Sequence, residues 1–118
     1  MGDWDLLDAG GVDGAGRLLG RGEVPVSSPW FDGHFPSRPV LPGVAMLHAV
    51  IELVARASGS DAGRVELRNV RFRQLTGPGA VLAATVSPPV ADGRWRFELT
   101  SDGAPACSGT LRFAQGTP

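Results

Sequence analysis

FDGHFPSRPVLPGVAMLHAV, residues 31–50, decides how the chain is read, because its character changes halfway along. The wider run SSPWFDGHFPSRPVLPG carries four prolines and two glycines. Proline fixes φ and offers no amide to a ladder, so this run is expected to be a rigid loop. From 43 to about 57 the pattern becomes that of the one substantial helix. Pro42 stands where proline favours a helix start, and SGSDAG supplies the turn residues that end it. Val44, Ala45, Met46, Leu47, Ala49, Val50, Ile51, Leu53, Val54 and Ala55 make this helix apolar nearly all round. A helix of that kind is expected to be wrapped by other structure. Its polar residues His48, Glu52 and Arg56 follow at i, i+4 spacing and form one narrow stripe. The chain has only two histidines, His34 in the loop and His48 in the helix, fourteen positions apart.

Outward from this stretch the chain alternates as strands do. RLLGRGEVPV reads as a strand interrupted at Gly20 and Gly22, with Pro25 favouring an edge or a bulge. RVELRNVRFRQL changes phase midway, from Val65 and Leu67 to Val70 and Phe72, as a bulge would make it do. AVLAATVSP is an apolar strand. RWRFELTSDG sets Trp95, Phe97 and Leu99 opposite Arg94, Arg96 and Glu98, and PACSGTLRFA closes the order. Residues 1–15 are acidic and glycine-rich, and read as an irregular lead-in held by Trp4, Leu6 and Leu7, with room for a turn of helix at WDLL. A strand, a long loop, a buried helix and four strands predict an α+β fold, a sheet curled around one helix, in a single domain over 1–118.

Composition narrows the chemistry. The chain has 118 residues, a net charge of −1 and 42% hydrophobic residues, enough for a core without staples. That balance gives no support to nucleic-acid or membrane-surface binding. All 11 basic residues are arginine, which excludes a Schiff-base lysine and a phosphate-loop lysine. There is no tyrosine to serve as a phenolic acid. The single cysteine, Cys107, permits no intrachain disulfide, and its alternation with Leu111 and Phe113 favours a buried thiol over a nucleophile. Two histidines and one cysteine are too few for an ordinary structural zinc site, so no metal is expected. No apolar run reaches membrane-span length and the start is unlike a signal peptide, which together suggest a cytoplasmic protein.

GHFPSRPVLPGVAMLHAV resembles the signature of the hot-dog-fold (3R)-hydroxyacyl-[acyl carrier protein] dehydratases. The matching positions are His34, Phe35, Pro36, Pro39, Pro42, Gly43 and Val44. SSPWFDG is similar to that family's aromatic lead-in, and VRFRQLTGPG to its Arg-Phe-Arg strand and following turn. The resemblance runs from about 17 to 113. One position departs: the family carries a glutamate or aspartate fourteen positions after the histidine, and here that residue is His48. PVLPGV is also close to the same segment in hot-dog dehydratases of specialised pathways such as aryl-polyene synthesis.

The resemblance implies dehydration of a 3-hydroxyacyl thioester to a trans-2-enoyl thioester, with no cofactor. His34 would be the base that takes the α proton, a task suited to imidazole. The Gly43 N–H, at a helix N-terminus, would receive the thioester oxygen. His48 would replace the carboxylate as the acid for the departing hydroxyl, with Glu52 able to favour its charged form. In the family this helix residue meets the histidine of the other subunit, so a homodimer, or a higher assembly of dimers, is implied. Phe35, Val40, Pro42, Val44 and Leu47 would bind the acyl substrate. Arg71 and Arg73 would dock the acidic acyl carrier protein that delivers it on phosphopantetheine.

Plainer roles stand beside each of these. His34 would cap a turn, His48 would be a satisfied core group, and Glu52 would pair with Arg56. Asp32 would be a turn residue, the prolines would serve any stiff loop, Val44 and Leu47 would be core, and the arginines a solvated strand face. Two other functions also stay open. One is a thioesterase of the same fold. The other is a degenerate homologue that binds an acyl carrier or completes a heterodimer, which His48 in place of the acid keeps in play.

Overall fold

The computed structural model describes residues 6–31, 40–60 and 64–114. The chain runs β1 (Asp8–Val12), β2 (Leu18–Glu23), a 3-10 turn (Pro29–Phe31), α1 (Gly43–Ser58), β3 (Val65–Phe72), β4 (Val81–Ser87), β5 (Trp95–Ser101) and β6 (Ala104–Phe113). The strands make one antiparallel sheet in the order β1-β2-β4-β5-β6-β3. The sheet curls over the single long helix, the α+β arrangement expected.

Strand alternation selects what faces α1. Leu82, Ala84 and Val86 of β4, Phe97 and Leu99 of β5 and Leu111 of β6 are buried. They meet Ala45, Met46, Ala49, Val50, Leu53 and Val54 of the helix, each at most 2% exposed. Residues that would otherwise keep helix and sheet apart are small. A Cβ at Gly20 would strike the Leu53 side chain, and one at Gly22 would meet the Leu6 carbonyl. These glycines therefore do not interrupt β2. They let the helix and the lead-in pack against it, and the strand ends at Glu23, two residues before Pro25.

The lead-in differs from expectation. Asp8–Val12 is a strand, paired to β2 at Asp8↔Arg21, Ala9↔Gly20 and Val12↔Leu18. All five of its residues are exposed and Gly11 sits at φ 86°, so no apolar alternation marks it in the sequence. Its order comes from pairing, not from propensity. Leu6 and Leu7 are buried in the core as expected but lie outside any helix.

The phase change in β3 is a bulge. The register moves from Arg68↔Thr110 to Arg71↔Ser108, one residue more on β3 than on β6, with Asn69 at φ 55°. That extra residue places Arg68 and Arg71 on the same, outward face.

The helix is not covered on every side. Val44 is 60% exposed, and Leu47, His48, Ile51 and Glu52 are partly exposed. These residues follow at i, i+3, i+4, i+7 and i+8, one continuous face. The sheet covers the opposite face, so the apolar surplus read from the sequence emerges here as a half-open stripe.

Candidate active site

Helix α1 opens at Gly43 and, among the described residues, has no side-chain cap. Pro42, at φ −61° and ψ 145°, is the N-cap and makes no side-chain hydrogen bond. Its carbonyl accepts the Ala45 N–H at 2.9 Å. The Gly43 N–H is one of the first-turn amides that have no acceptor within the helix, at the positive end of its dipole.

Two contacts, one from the end of β3 and one from just beyond it, fix this N-terminus. Leu41 donates its N–H to the Thr76 carbonyl at 2.7 Å, and Leu41 and Thr76 are both buried. Phe72, the last residue of β3, lies against Gly43 so closely that an added Cβ would stand 2.8 Å from the ring. A side chain at position 43 would therefore force the Phe72 ring or the helix start to shift. Phe72 remains 50% exposed and forms an open aromatic wall beside the helix start, a feature that strand alternation alone did not single out.

His48 lies five residues further along, about 7.5 Å of helix rise from Gly43. It is on the half-open stripe, and its ring centroid is 5.8 Å from that of Trp30, tilted by 57°. Trp30 stands on the 3-10 turn that enters the proline loop. Nothing in the sequence pattern pairs Trp30 with His48; the turn brings them together across a gap of 18 positions. Val40, Pro42 and Leu47 are partly buried around the same end of α1, and Val44 is exposed. His34 and Phe35, the expected base and its neighbour, lie outside the described residues. Arg56, one turn beyond Glu52, donates to the Leu7 carbonyl at 3.0 Å and ties the helix end to the lead-in.

The arginines divide into two sets. Arg68, Arg94 and Arg112 converge on Glu66 Oε1 at 3.5, 3.3 and 3.2 Å. Arg71 and Arg73 are exposed and, with Arg96, line a shallow cleft of about 280 Å³ that also includes Asn69, Glu98, Ser108 and Thr110. Among the described residues none of these three arginines has an ion-pair partner. Cys107 is 2% exposed, and burial raises its thiol from 9.0 to about 11, which leaves it protonated and unreactive near neutrality.

A sheet curled over one central helix, with the helix N-terminus set beside a strand end, defines the hot-dog class. Solved structures agree on the fold. The dehydratase heterocomplex ApeI:P from Xenorhabdus doucetiae matches with a TM-score of 0.69 at 22% identity, covering 84% of this chain and 88% of that one. The dehydratase domain of the polyketide protein PpsC from Mycobacterium tuberculosis matches with a TM-score of 0.75 at 17% identity, over 99% of this chain and 46% of that one.

The sequence carries the assignment further. The family model described as ApeI-like, ApeI dehydratase, matches residues 13–110, and the chain belongs to that family. The chain is 32% identical over 113 residues to the 3-hydroxyacyl-[acyl-carrier-protein] dehydratase FabZ of Caldicellulosiruptor bescii, covering 87% of this chain and 81% of the relative. It is 36% identical over 92 residues to the FabZ of Rickettsia canadensis, covering 70% of this chain and 64% of the relative. It thus spans less than two thirds of the length of that Rickettsia relative. No helix among the described residues is long and apolar enough to cross a membrane.

Proposed function

We propose that this protein dehydrates (3R)-3-hydroxyacyl thioesters borne on acyl carrier protein to trans-2-enoyl thioesters, in fatty acid or related acyl or polyketide synthesis. The observation that carries the reading is the uncapped helix start at Gly43 with His48 on the same helix's open stripe. One N–H can receive the thioester oxygen as negative charge builds on it. His34 removes the α proton, the Cα–Cβ double bond forms, and the β-hydroxyl leaves as water with a proton from His48. No oxidation or reduction occurs, so the scheme balances with no redox cofactor. Phe35, Val40, Pro42, Val44 and Leu47 supply the apolar lining for the acyl chain.

The working unit is proposed to be a homodimer in the cytoplasm. Two features support the dimer: β3 ends the sheet order, and Val44 and Phe72 leave an exposed apolar patch beside it. A second copy adding to that edge would pair the open backbone groups and cover the patch. The opposite edge, β1, is short, irregular in register and glycine-bearing, a poor template for pairing. Arg71 and Arg73 are proposed to dock the acidic carrier, their lack of ion-pair partners among the described residues being the support.

The test is incubation with (3R)- and (3S)-3-hydroxyacyl carrier protein, followed by mass spectrometry of the carrier. Loss of one water from the (3R) substrate alone is expected. Hydrolysis to the free carrier would replace this reading with a thioesterase, and no change in either substrate would remove the enzyme.

A further inference from the structure

We propose that Trp30 is a positioning residue for His48. This rests on the dehydratase reading above. The indole and imidazole rings are 5.8 Å apart and tilted by 57°, within the range of an attractive aromatic pair.

Trp30 is well held. It packs against the hydrophobic core. Its backbone N–H donates to Ser28 Oγ at 3.3 Å, and Ser28 is only 3% exposed. The Phe31 N–H donates to the Ser28 carbonyl at 3.1 Å, and the Ser28 N–H to the Pro25 carbonyl at 3.1 Å. A buried serine and two backbone bonds thus fix the turn that presents the indole. The His48 backbone is held within the helix, so the two elements that carry the rings are both ordered.

The chemistry of the rings explains the contact. An aromatic face is negative and its edge positive. Tilted aromatic rings attract because the positive edge of one meets the negative face of the other. The indole, packed against the imidazole, limits rotation of that ring about its outer side-chain torsion. An acid whose ring plane is fixed needs no reorientation before it donates to the leaving hydroxyl.

The experiment is a double-substitution cycle on the full-length protein with 3-hydroxyacyl carrier protein. Trp30→Leu is expected to lower kcat by about tenfold or more with KM changed less than about twofold, as misplacement of a reacting group does. Trp30→Phe, which keeps an aromatic face, should retain most of the rate. In a His48→Ala background Trp30→Leu should cost nothing further. A multiplicative loss in that background would overturn the proposal, because Trp30 would then act through something other than His48. NMR supplies a readout that does not depend on turnover, and its cross-relaxation arm needs only the wild type. Cross-relaxation between the Trp30 and His48 ring protons is expected, with a ring-current displacement of the His48 signals that Trp30→Leu removes. Absence of that cross-relaxation would also overturn it. If the wild type dehydrates nothing while the ring contact is present, the functional reading fails and the catalytic role of Trp30 fails with it.

Discussion

Single residues show most clearly what the sequence discloses and what it withholds. His34, Gly43 and His48 stand out as candidates because a spaced motif of prolines and glycine marks them. Trp30 and Phe72 do not, because each touches His48 or Gly43 from a distant element and neither breaks its local pattern. Cys107 is a case where alternation sufficed: its position on β6 predicts burial, and burial raises the thiol to about 11. This has a consequence for stability. A group with a raised folded pKa stabilises fully below its unfolded value, and loses that contribution as pH rises through the folded value. The chain has no lysine and no tyrosine, so Cys107 is the sole side chain expected to titrate between 9.0 and about 11. Unfolding free energy should fall there by up to ~1.4 kcal/mol per pH unit. Urea titrations of the wild type at stepped pH will show the slope, and Cys107→Ala should abolish it. An unchanged slope in Cys107→Ala would assign it elsewhere.

At the scale of elements, the helix, the four C-terminal strands and the β3 bulge follow from periodicity alone. β1 does not, because five exposed residues with no alternation are ordered only by their neighbour, β2. The glycines of β2 likewise read as breaks until the helix and lead-in that press on them are placed. Two predictions belong here. Gly43→Ala drives a methyl into the Phe72 ring, so the helix start or the ring must move. We expect kcat to drop by about 10² or more, the scale of losing one oxyanion donor. Phe72→Leu in the same chain should recover part of it, and a fully active Gly43→Ala would show that the close contact does not matter. Asn69 sits at φ 55° in the bulge, where a β-branched side chain is strained. Asn69→Val should cost ~1–2 kcal/mol in chemical denaturation and Asn69→Gly little or nothing. Equal effects from the two would mean the bulge does not depend on that backbone conformation.

For the whole molecule, the sheet has one face turned to the helix and an outward face that carries the arginines. The bulge puts Arg68 and Arg71 on that outward face, and Glu66 draws Arg68 with Arg94 and Arg112 into one network. Arg71 and Arg73 have no ion-pair partner among the described residues and are proposed to meet the carrier. Replacing both by glutamate should lower kcat/KM for a carrier-borne substrate by roughly tenfold or more, and weaken the salt dependence of that rate. Turnover of the same acyl group on free pantetheine should be unaffected; an equal loss on both substrates would place these residues in the site, not in docking. The half-open stripe of α1 and the β3 edge are the surfaces proposed to meet a second copy, and a sequence that reads as an all-apolar helix does not locate them. The central claim is the two-histidine site, and one measurement bears on it most directly. Wild type, His34→Ala and His48→Ala are each incubated with a (3R)-3-hydroxyacyl carrier protein, and the carrier is weighed by mass spectrometry over time. The account predicts loss of one water with the wild type, and a rate lower by about 10²–10⁴ in each variant. Full activity in His48→Ala beside an inactive His34→Ala would contradict it and leave His48 as packing on the helix.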